Sequence, residues 1–293
     1  MELHDVGGER TEPVGTGATE RPRWLLPGLA ATAVGLALLA LNLYGVLFAS
    51  LRAPDAVGYR DFAGSVTLPY AESIARLDAI PNGDAMTLVT EATRIFHEGI
   101  AHLDPDDVVR LGPHRLHTTV PVWENYLLFA LAYLKPDTYQ DYEFCSYRRT
   151  LERGVGRCGQ QSLALVDFLS RRGLPAGFVD LGGHTVATAD VGKGEWILLD
   201  PDYGAVIPFS IAQAEKAPES VIPYYWNDQV VRRQAFRVFD AQDNKVMIGG
   251  PSVRWKRACS AEQVAYLLKW LLPGVLVFSG VLLLRVARRS GRG

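Results

Sequence analysis

The chain has 293 residues, with 30 Lys and Arg against 32 Asp and Glu and a formal net charge of -2, which excludes a general electrostatic attraction to nucleic acid. Its hydrophobic content of 48% is unevenly placed: two blocks near the ends hold long charge-free runs, while the middle reads like an ordinary soluble domain. Three cysteines, Cys145, Cys158 and Cys259, are too few for a disulfide scaffold and lack the paired spacing of a zinc site.

Residues 1–23 are rich in Gly, Thr and Glu and are expected to be a disordered cytoplasmic tail, because they cannot bury enough apolar surface to offset the entropy of ordering. Residues 24–50 contain no charge. A helix of that length reaches about 40 Å, beyond the ~30 Å hydrocarbon core, so it can span a bilayer with tilt. Trp24 and Tyr44 stand where interfacial aromatics are expected, and Pro27 falls in the first turn. A cleaved signal peptide is the competing reading, but the apolar stretch is longer than an ordinary signal core. A second span is expected over residues 264–287. It is charge-free only across 270–284, so Lys269 must snorkel to the interface beside Tyr266 and Trp270; the alternative is an interfacial or buried helix. Arg21 and Arg23 precede the first span, and Arg285, Arg288, Arg289 and Arg292 follow the second, where residues 288–293 form a basic tail. Both termini are therefore expected in the cytoplasm, with the domain at 53–258 on the extracytoplasmic side of the plasma or inner membrane. There Cys145 and Cys259 could pair, leaving Cys158 as the odd thiol; otherwise they are small buried hydrophobes.

Between the spans, residues 53–82 read as a connector with one short helix near 70–77. Asp84 caps an expected helix to about Leu103, residues 105–121 are loop or short structure, and apolar residues 122–134 are expected as a buried helix ended by Pro136. Part of 137–153 is expected to be helical. Residues 158–172 place Leu163, Val166 and Leu169 on one helical face, with Gly173 as the stop. Strands follow at 176–181, 184–191 and 195–199, the last two joined by Gly192-Lys193-Gly194. A short helix at 210–215 and a hairpin pairing 235–239 with 245–248 across a 242–244 turn complete the domain.

The central stretch carries the chemistry. Cys158 opens a helix, where backbone dipoles and free N–H groups favour a thiolate and its own N–H can donate to an oxyanion. His184 starts a strand directly after Gly182-Gly183, which leaves the ring room to act as a base. Asp200 ends the next strand before Pro201, where an antiparallel partner brings it beside His184 to orient the imidazole. Asp202 shares that strand face and is the alternative orienting group.

The run RCGQQSLALVDFLSRRGLPAGFVDLGGH, followed by EWILLDPDYG, resembles the core of the transglutaminase-like branch of papain-fold cysteine enzymes. The resemblance covers about a fifth of the chain. It implies an α+β fold with a central helix packed on an antiparallel sheet, here flanked by two transmembrane helices. It also implies Cys158 as nucleophile, His184 as base and acid, and Asp200 as the orienting carboxylate, with Trp196 matching the tryptophan common ahead of the aspartate. Two features depart from the pattern: Thr185 follows the histidine where an aromatic is common, and Glu152 stands where papain itself has a glutamine. Gln160 and Gln161 either hold substrate or are exposed helix positions.

His97, His102, His114 and His117 lack a matching cysteine or carboxylate cluster, so no metal and no cofactor is expected. Tyr224, Tyr225 and Trp226 form either a substrate-side wall or packing. The expected function is attack on peptide or amide bonds of a peptide or protein substrate, of the cell envelope given the topology, through a thioester, with hydrolysis favoured. The alternatives are a transglutaminase-type acyltransferase and an idle scaffold of a membrane complex. A topology reporter fused within the middle domain, after Ser50, is expected to read extracytoplasmic and one after Gly293 cytoplasmic; a cytoplasmic signal from the former would overturn the orientation.

Overall fold

The computed structural model describes residues 23–57, 59–61, 64–65, 68–225, 229–241, 244–248 and 253–290. The tail at 1–22, Trp226 and residues 242–243 of the expected turn lie outside the described residues. The chain forms two compact units, one from residues 1–39 with 272–293 and the other from residues 40–271. The two long apolar helices are α1 (Leu25–Leu47) and α10 (Val253–Ser290). Both are long and apolar enough to cross a membrane.

In the first unit these helices meet through small residues. A Cβ on Gly35 would lie 2.8 Å from the Pro273 carbonyl oxygen, and one on Gly28 would lie 3.0 Å from the Gly280 oxygen. A Cβ on Gly280 would collide with Thr32 Oγ1, whose hydroxyl already donates to the Gly28 carbonyl at 2.8 Å. Close backbone approach at Gly and Thr is how helices gain packing where the surroundings are as apolar as the side chains.

The larger unit is a mixed α+β fold. Its helices on one side are α2 (Tyr70–Ala79), α3 (Ala85–Gly99), α6 (Tyr147–Arg153) and α7 (Cys158–Arg171). Asp84 caps α3 as expected, accepting from the Met86 and Thr87 amides. α3 nevertheless stops at Gly99, short of Leu103, because Ala101–His102 forms a strand, β1, paired in parallel with β2 (Val155–Gly156). Asp104 caps α4 (Pro105–Leu111). The apolar stretch expected as a buried helix is shorter, α5 (Tyr126–Leu134), and only partly buried: Leu128 and Ala132 face the core, while Tyr133 and Leu134 are exposed. Its hydrophobicity is not confined to one face, so composition alone overstates its burial.

The sheet has five strands, β3 (Ala176–Asp180), β4 (Thr185–Asp190), β5 (Trp196–Asp200), β6 (Ala205–Ile207) and β7 (Lys245–Ile248), in the spatial order β6-β5-β4-β3-β7. All pairs are antiparallel. Alternation sorts the side chains: Phe178, Ala187, Ala189, Ile197 and Leu199 pack towards α3 and α7, while Val179, Val186 and Leu198 face a second cluster under α8 (Ile211–Lys216) and α9 (Gln229–Asp240). Both faces are covered.

The expected 235–239/245–248 hairpin does not form. Residues 235–239 lie in α9, and β7 pairs with β3 instead. Val231, Ala235, Val238 and Phe239 recur at helical spacing and seat α9 on the sheet, a period that a five-residue window cannot separate from strand alternation. Cys145 and Cys259 form a disulfide across 114 residues, with Cα atoms 5.5 Å apart. Lys269 does not simply snorkel: it is buried, and its Nζ donates to the Glu124 carbonyl at 2.6 Å while lying 5.2 Å and 5.7 Å from the Tyr266 and Trp270 ring centroids.

A buried guanidinium anchors the segment ahead of α7. Arg153 donates from Nε to the Val155 carbonyl at 3.0 Å, from Nη1 to the Tyr142 carbonyl at 2.6 Å and from Nη2 to Gln160 Oε1 at 2.8 Å. Burial pulls its pKa down to about 10, against the opposing charges of Asp141 and Glu143, so it stays charged at neutral pH. Arg153→Met removes all three donors and takes that partner from the Val155 and Tyr142 carbonyls. It is expected to lower unfolding stability by about 2–4 kcal/mol, measured by denaturant titration in detergent; a change within about 0.5 kcal/mol, the range of ordinary surface substitutions, would show that the clamp is dispensable.

Candidate active site

Cys158 begins α7 and is half-buried, and it is the free thiol once Cys145 and Cys259 are paired. The first intrahelical bond of α7 runs from the Gln161 amide to the Arg157 carbonyl, so the amides of residues 158–160 precede the ladder and point out of the helix start. That is an electropositive end suited to an anionic sulfur or oxygen.

His184 reaches the site from a tight turn. Gly182 and Gly183 have φ of 68° and 124°, a region that only glycine occupies without strain, and the Leu181 amide donates back to the His184 carbonyl at 2.8 Å. The β4/β5 register pairs Ala187 with Leu199, and its continuation sets residues 200 and 202 beside the approach to β4. His184 Nε2 accordingly donates to Asp200 Oδ2 at 2.8 Å, leaving Nδ1 towards Cys158. The Tyr225 hydroxyl donates to the same Asp200 oxygen at 3.0 Å, and Asp200 Oδ1 accepts from the Asp202 amide at 3.1 Å. The three residues expected to act together are thus brought together.

Asp202 occupies a different position from Asp200. Its Oδ2 lies 3.9 Å from His184 Nδ1, on the thiol side of the ring. It accepts from His102 Nδ1 at 2.8 Å through Oδ2 and from Gln161 Nε2 at 2.5 Å through Oδ1. The Cys158 sulfur, a His184 nitrogen and an Asp202 oxygen all lie within 4.8 Å of one another. His97 Nδ1 faces the carbonyls of Pro201 and Asp202 at 3.2 Å and 3.0 Å, so it carries the hydrogen that holds this loop to α3. Of the other described histidines, His114 stacks on Tyr133, and His117 donates to the Leu51 carbonyl at 2.8 Å.

Sequence reasoning left Gln160 and Gln161 as substrate-holding or exposed; both are fully buried and bonded within the protein. Gln160 grips the Phe144 backbone, accepting its amide at 2.6 Å and donating to its carbonyl at 2.9 Å. Ser162 donates to the Thr185 carbonyl at 2.8 Å, tying α7 one turn beyond Cys158 to the start of β4. His102 and Tyr225 are site residues that no local motif announces. Of the expected aromatic trio, Tyr225 is a buried hydrogen-bond donor to Asp200.

The electrostatics follow from burial and charge. Burial alone would favour a neutral His184, but the Asp200 charge and hydrogen bond, a hydrogen bond with Cys158 and the Asp202 charge outweigh it and hold the imidazolium well above its ordinary range. Burial raises the Asp202 carboxyl, opposed by His102 and His184. Two cavities flank the site. One of about 440 Å³ is lined by Asp137, Tyr139, Asp141, Glu143, Gly156 and Arg157 ahead of the thiol. The other, about 250 Å³, is lined by Gly182, His184, Tyr203, Tyr225 and Val231. Glu143 lies so near the α7 start that a Cβ on Gly159 would sit 2.9 Å from its Oε1. Burial and the neighbouring Asp141 push its carboxyl up to about 7, against Arg153 and Arg157.

No family model matches the chain, and no curated protein matches it.

Because Asp200 is the strongest support for the His184 charge, Asp200→Asn is expected to move the ring's titration to lower pH. The midpoint read from the His184 imidazole resonance should fall on losing the carboxylate; an unchanged midpoint would assign the support to Asp202.

Proposed function

We propose that this chain is a membrane-anchored cysteine enzyme that cleaves peptide or amide bonds through a thioester on Cys158. The observation that carries the reading is the His184–Asp200 hydrogen bond of 2.8 Å on the ring edge opposite the thiol, at the start of α7. The resemblance of residues 157–204 to the transglutaminase-like core supports the same assignment.

In the reaction, the Cys158 thiolate, paired with the His184 imidazolium, attacks the carbonyl carbon, and the electron pair of the C=O bond passes to oxygen. The developing oxyanion sits at the amides of the α7 start, which need no reorganisation to receive it. Imidazolium then donates its proton to the leaving amine, and the C–N bond breaks to leave the thioester. Water, deprotonated by neutral His184, releases the acid and regenerates the thiol. Asp200 keeps the ring oriented and stabilises its charged form, while Tyr225 holds Asp200 in place.

Hydrolysis is the favoured outcome and transfer to an amine the alternative, since the two differ only in which nucleophile reaches the thioester. The substrate is a peptide or protein at the extracytoplasmic face of the bilayer, with both termini of the chain cytoplasmic. The Cys145–Cys259 disulfide supports that placement, because such bonds persist in oxidising compartments. An idle scaffold has no use for a free thiol, imidazole and carboxylate held in register.

The test is kinetic. A thiol-directed electrophile at neutral pH is expected to modify Cys158 faster than a small thiol of ordinary pKa, and His184→Ala should slow it by about 100-fold. Mass spectrometry of protein incubated with activated amides should find an acyl group on Cys158. Ordinary reactivity that is indifferent to His184→Ala, with no adduct, would sink the enzyme reading.

A further inference from the structure

The acyl chemistry above needs one carboxylate on His184, and Asp200 supplies it. Asp202 adds its charge to the support of the imidazolium but is not needed to orient the ring, although it is buried and held on both of its oxygens. Its Oδ2 stands 3.9 Å from His184 Nδ1, the ring nitrogen that the Nε2–Asp200 bond leaves for Cys158. A carboxylate there opposes formation of the neighbouring thiolate, because two anions are brought together out of water. A doubly charged ion between them offsets both anions more fully than the single charge of the imidazolium.

The ligand chemistry suits one. Thiolate sulfur, imidazole nitrogen and carboxylate oxygen form a mixed donor set that tetrahedral zinc accepts at about 2.0–2.3 Å. Around such an ion the donor atoms lie roughly 3.3–3.8 Å apart, as tetrahedral geometry at those bond lengths requires. The Cys158, His184 and Asp202 atoms already lie within 4.8 Å of one another, so a closure of about an ångström by side-chain rotation completes the set.

The surrounding bonds are those that orient metal ligands. Asp200 takes the Nε2–H of His184 at 2.8 Å, the carboxylate–histidine arrangement that fixes the tautomer and aims Nδ1 inward. His102 at 2.8 Å and Gln161 at 2.5 Å set the plane of the Asp202 carboxylate. We propose that Cys158, His184 and Asp202 form a three-ligand zinc site whose occupation masks the thiol. The fourth position is left to water, which separates this arrangement from closed structural sites and makes it exchangeable.

Binding replaces a proton with the ion: the Nδ1 proton of the thiolate–imidazolium pair passes to solvent, and no oxidation state changes. The doubly charged ion is then neutralised by the Cys158 thiolate and Asp202. The masking of a nucleophile rests on the cysteine-enzyme reading; the metal binding does not.

The experiment uses the full chain in detergent micelles, with ZnCl2 and CoCl2 as probes. One equivalent of zinc is expected to slow maleimide modification of Cys158 by about tenfold or more, with a chelator restoring the rate. Cobalt should give a thiolate-to-metal charge-transfer band, and Asp202→Asn should weaken both effects by about tenfold or more, as loss of a ligand requires. Because the unaltered chain is tested first, a misfolded variant leaves the question decidable: no cobalt band, or an alkylation rate indifferent to zinc, overturns the site. Equal affinity in a folded Asp202→Asn variant also overturns it, by removing Asp202 from the ligand set. Zinc protection without any acyl adduct on the metal-free protein would retain the site and discard the enzyme reading; an adduct without zinc binding would do the reverse.

Discussion

The placement of Cys158 depends on two adjacent buried glutamines. Side chains one residue apart on a helix point about 100° from each other, so Gln160 and Gln161 at the first turn of α7 reach in different directions. Gln160 clamps the Phe144 backbone and is itself held by Arg153. Gln161 bonds Asp202 on the sheet side, and Ser162 adds a bond to the Thr185 carbonyl. A helix start gripped from both sides cannot swing, and the thiol at its first residue takes a fixed position relative to His184. These amides are neutral and buried, Gln160 held through both its oxygen and its nitrogen and Gln161 through its nitrogen, so losing one partner strands a polar group away from water.

The same economy of space brings charge into the interior. Asp200 and Asp202 are both buried within reach of one imidazole, and each is supported by donors from outside the strand, Tyr225 and the Asp202 amide on one side, His102 and Gln161 on the other. Buried carboxylates persist only when paired and hydrogen-bonded. Here the pairing raises the ring's affinity for a proton and provides the donors that a metal or a reacting carbonyl would meet. The proposed catalysis and the proposed metal capture would thus draw on one electrostatic arrangement, with an ion and a proton competing for the same sulfur and nitrogen.

The polar residues near the ends of the apolar helices belong to the larger unit. Asn42 Nδ2 and the Tyr126 hydroxyl donate to the Lys269 carbonyl at 2.5 Å and 3.2 Å, Lys269 Nζ donates to the Glu124 carbonyl at 2.6 Å, and the Tyr266 hydroxyl donates to Glu124 Oε1 at 2.5 Å. Arg149 lies over the Tyr266 ring at 3.5 Å. Groups that sequence reading sends to the lipid interface find protein partners instead, because an accessible carbonyl or ring satisfies a cation at least as well as a headgroup.

Local patterns determined the apolar helices, α7 with its Gly173 stop, the three consecutive strands and the order of Cys158, His184 and Asp200, since periodicity, caps and turn residues act over a few neighbours. The helix at 229–240 was misread because its apolar spacing shows only over nine residues, and the β3–β7 pairing joins segments about seventy positions apart. Only the tertiary structure decided that Cys145 meets Cys259, that His102 and Gln161 converge on Asp202, and that Asp200 rather than Asp202 bonds His184. The physical reason is that strand register and helix docking set distances between residues whose spacing along the chain carries no record of them.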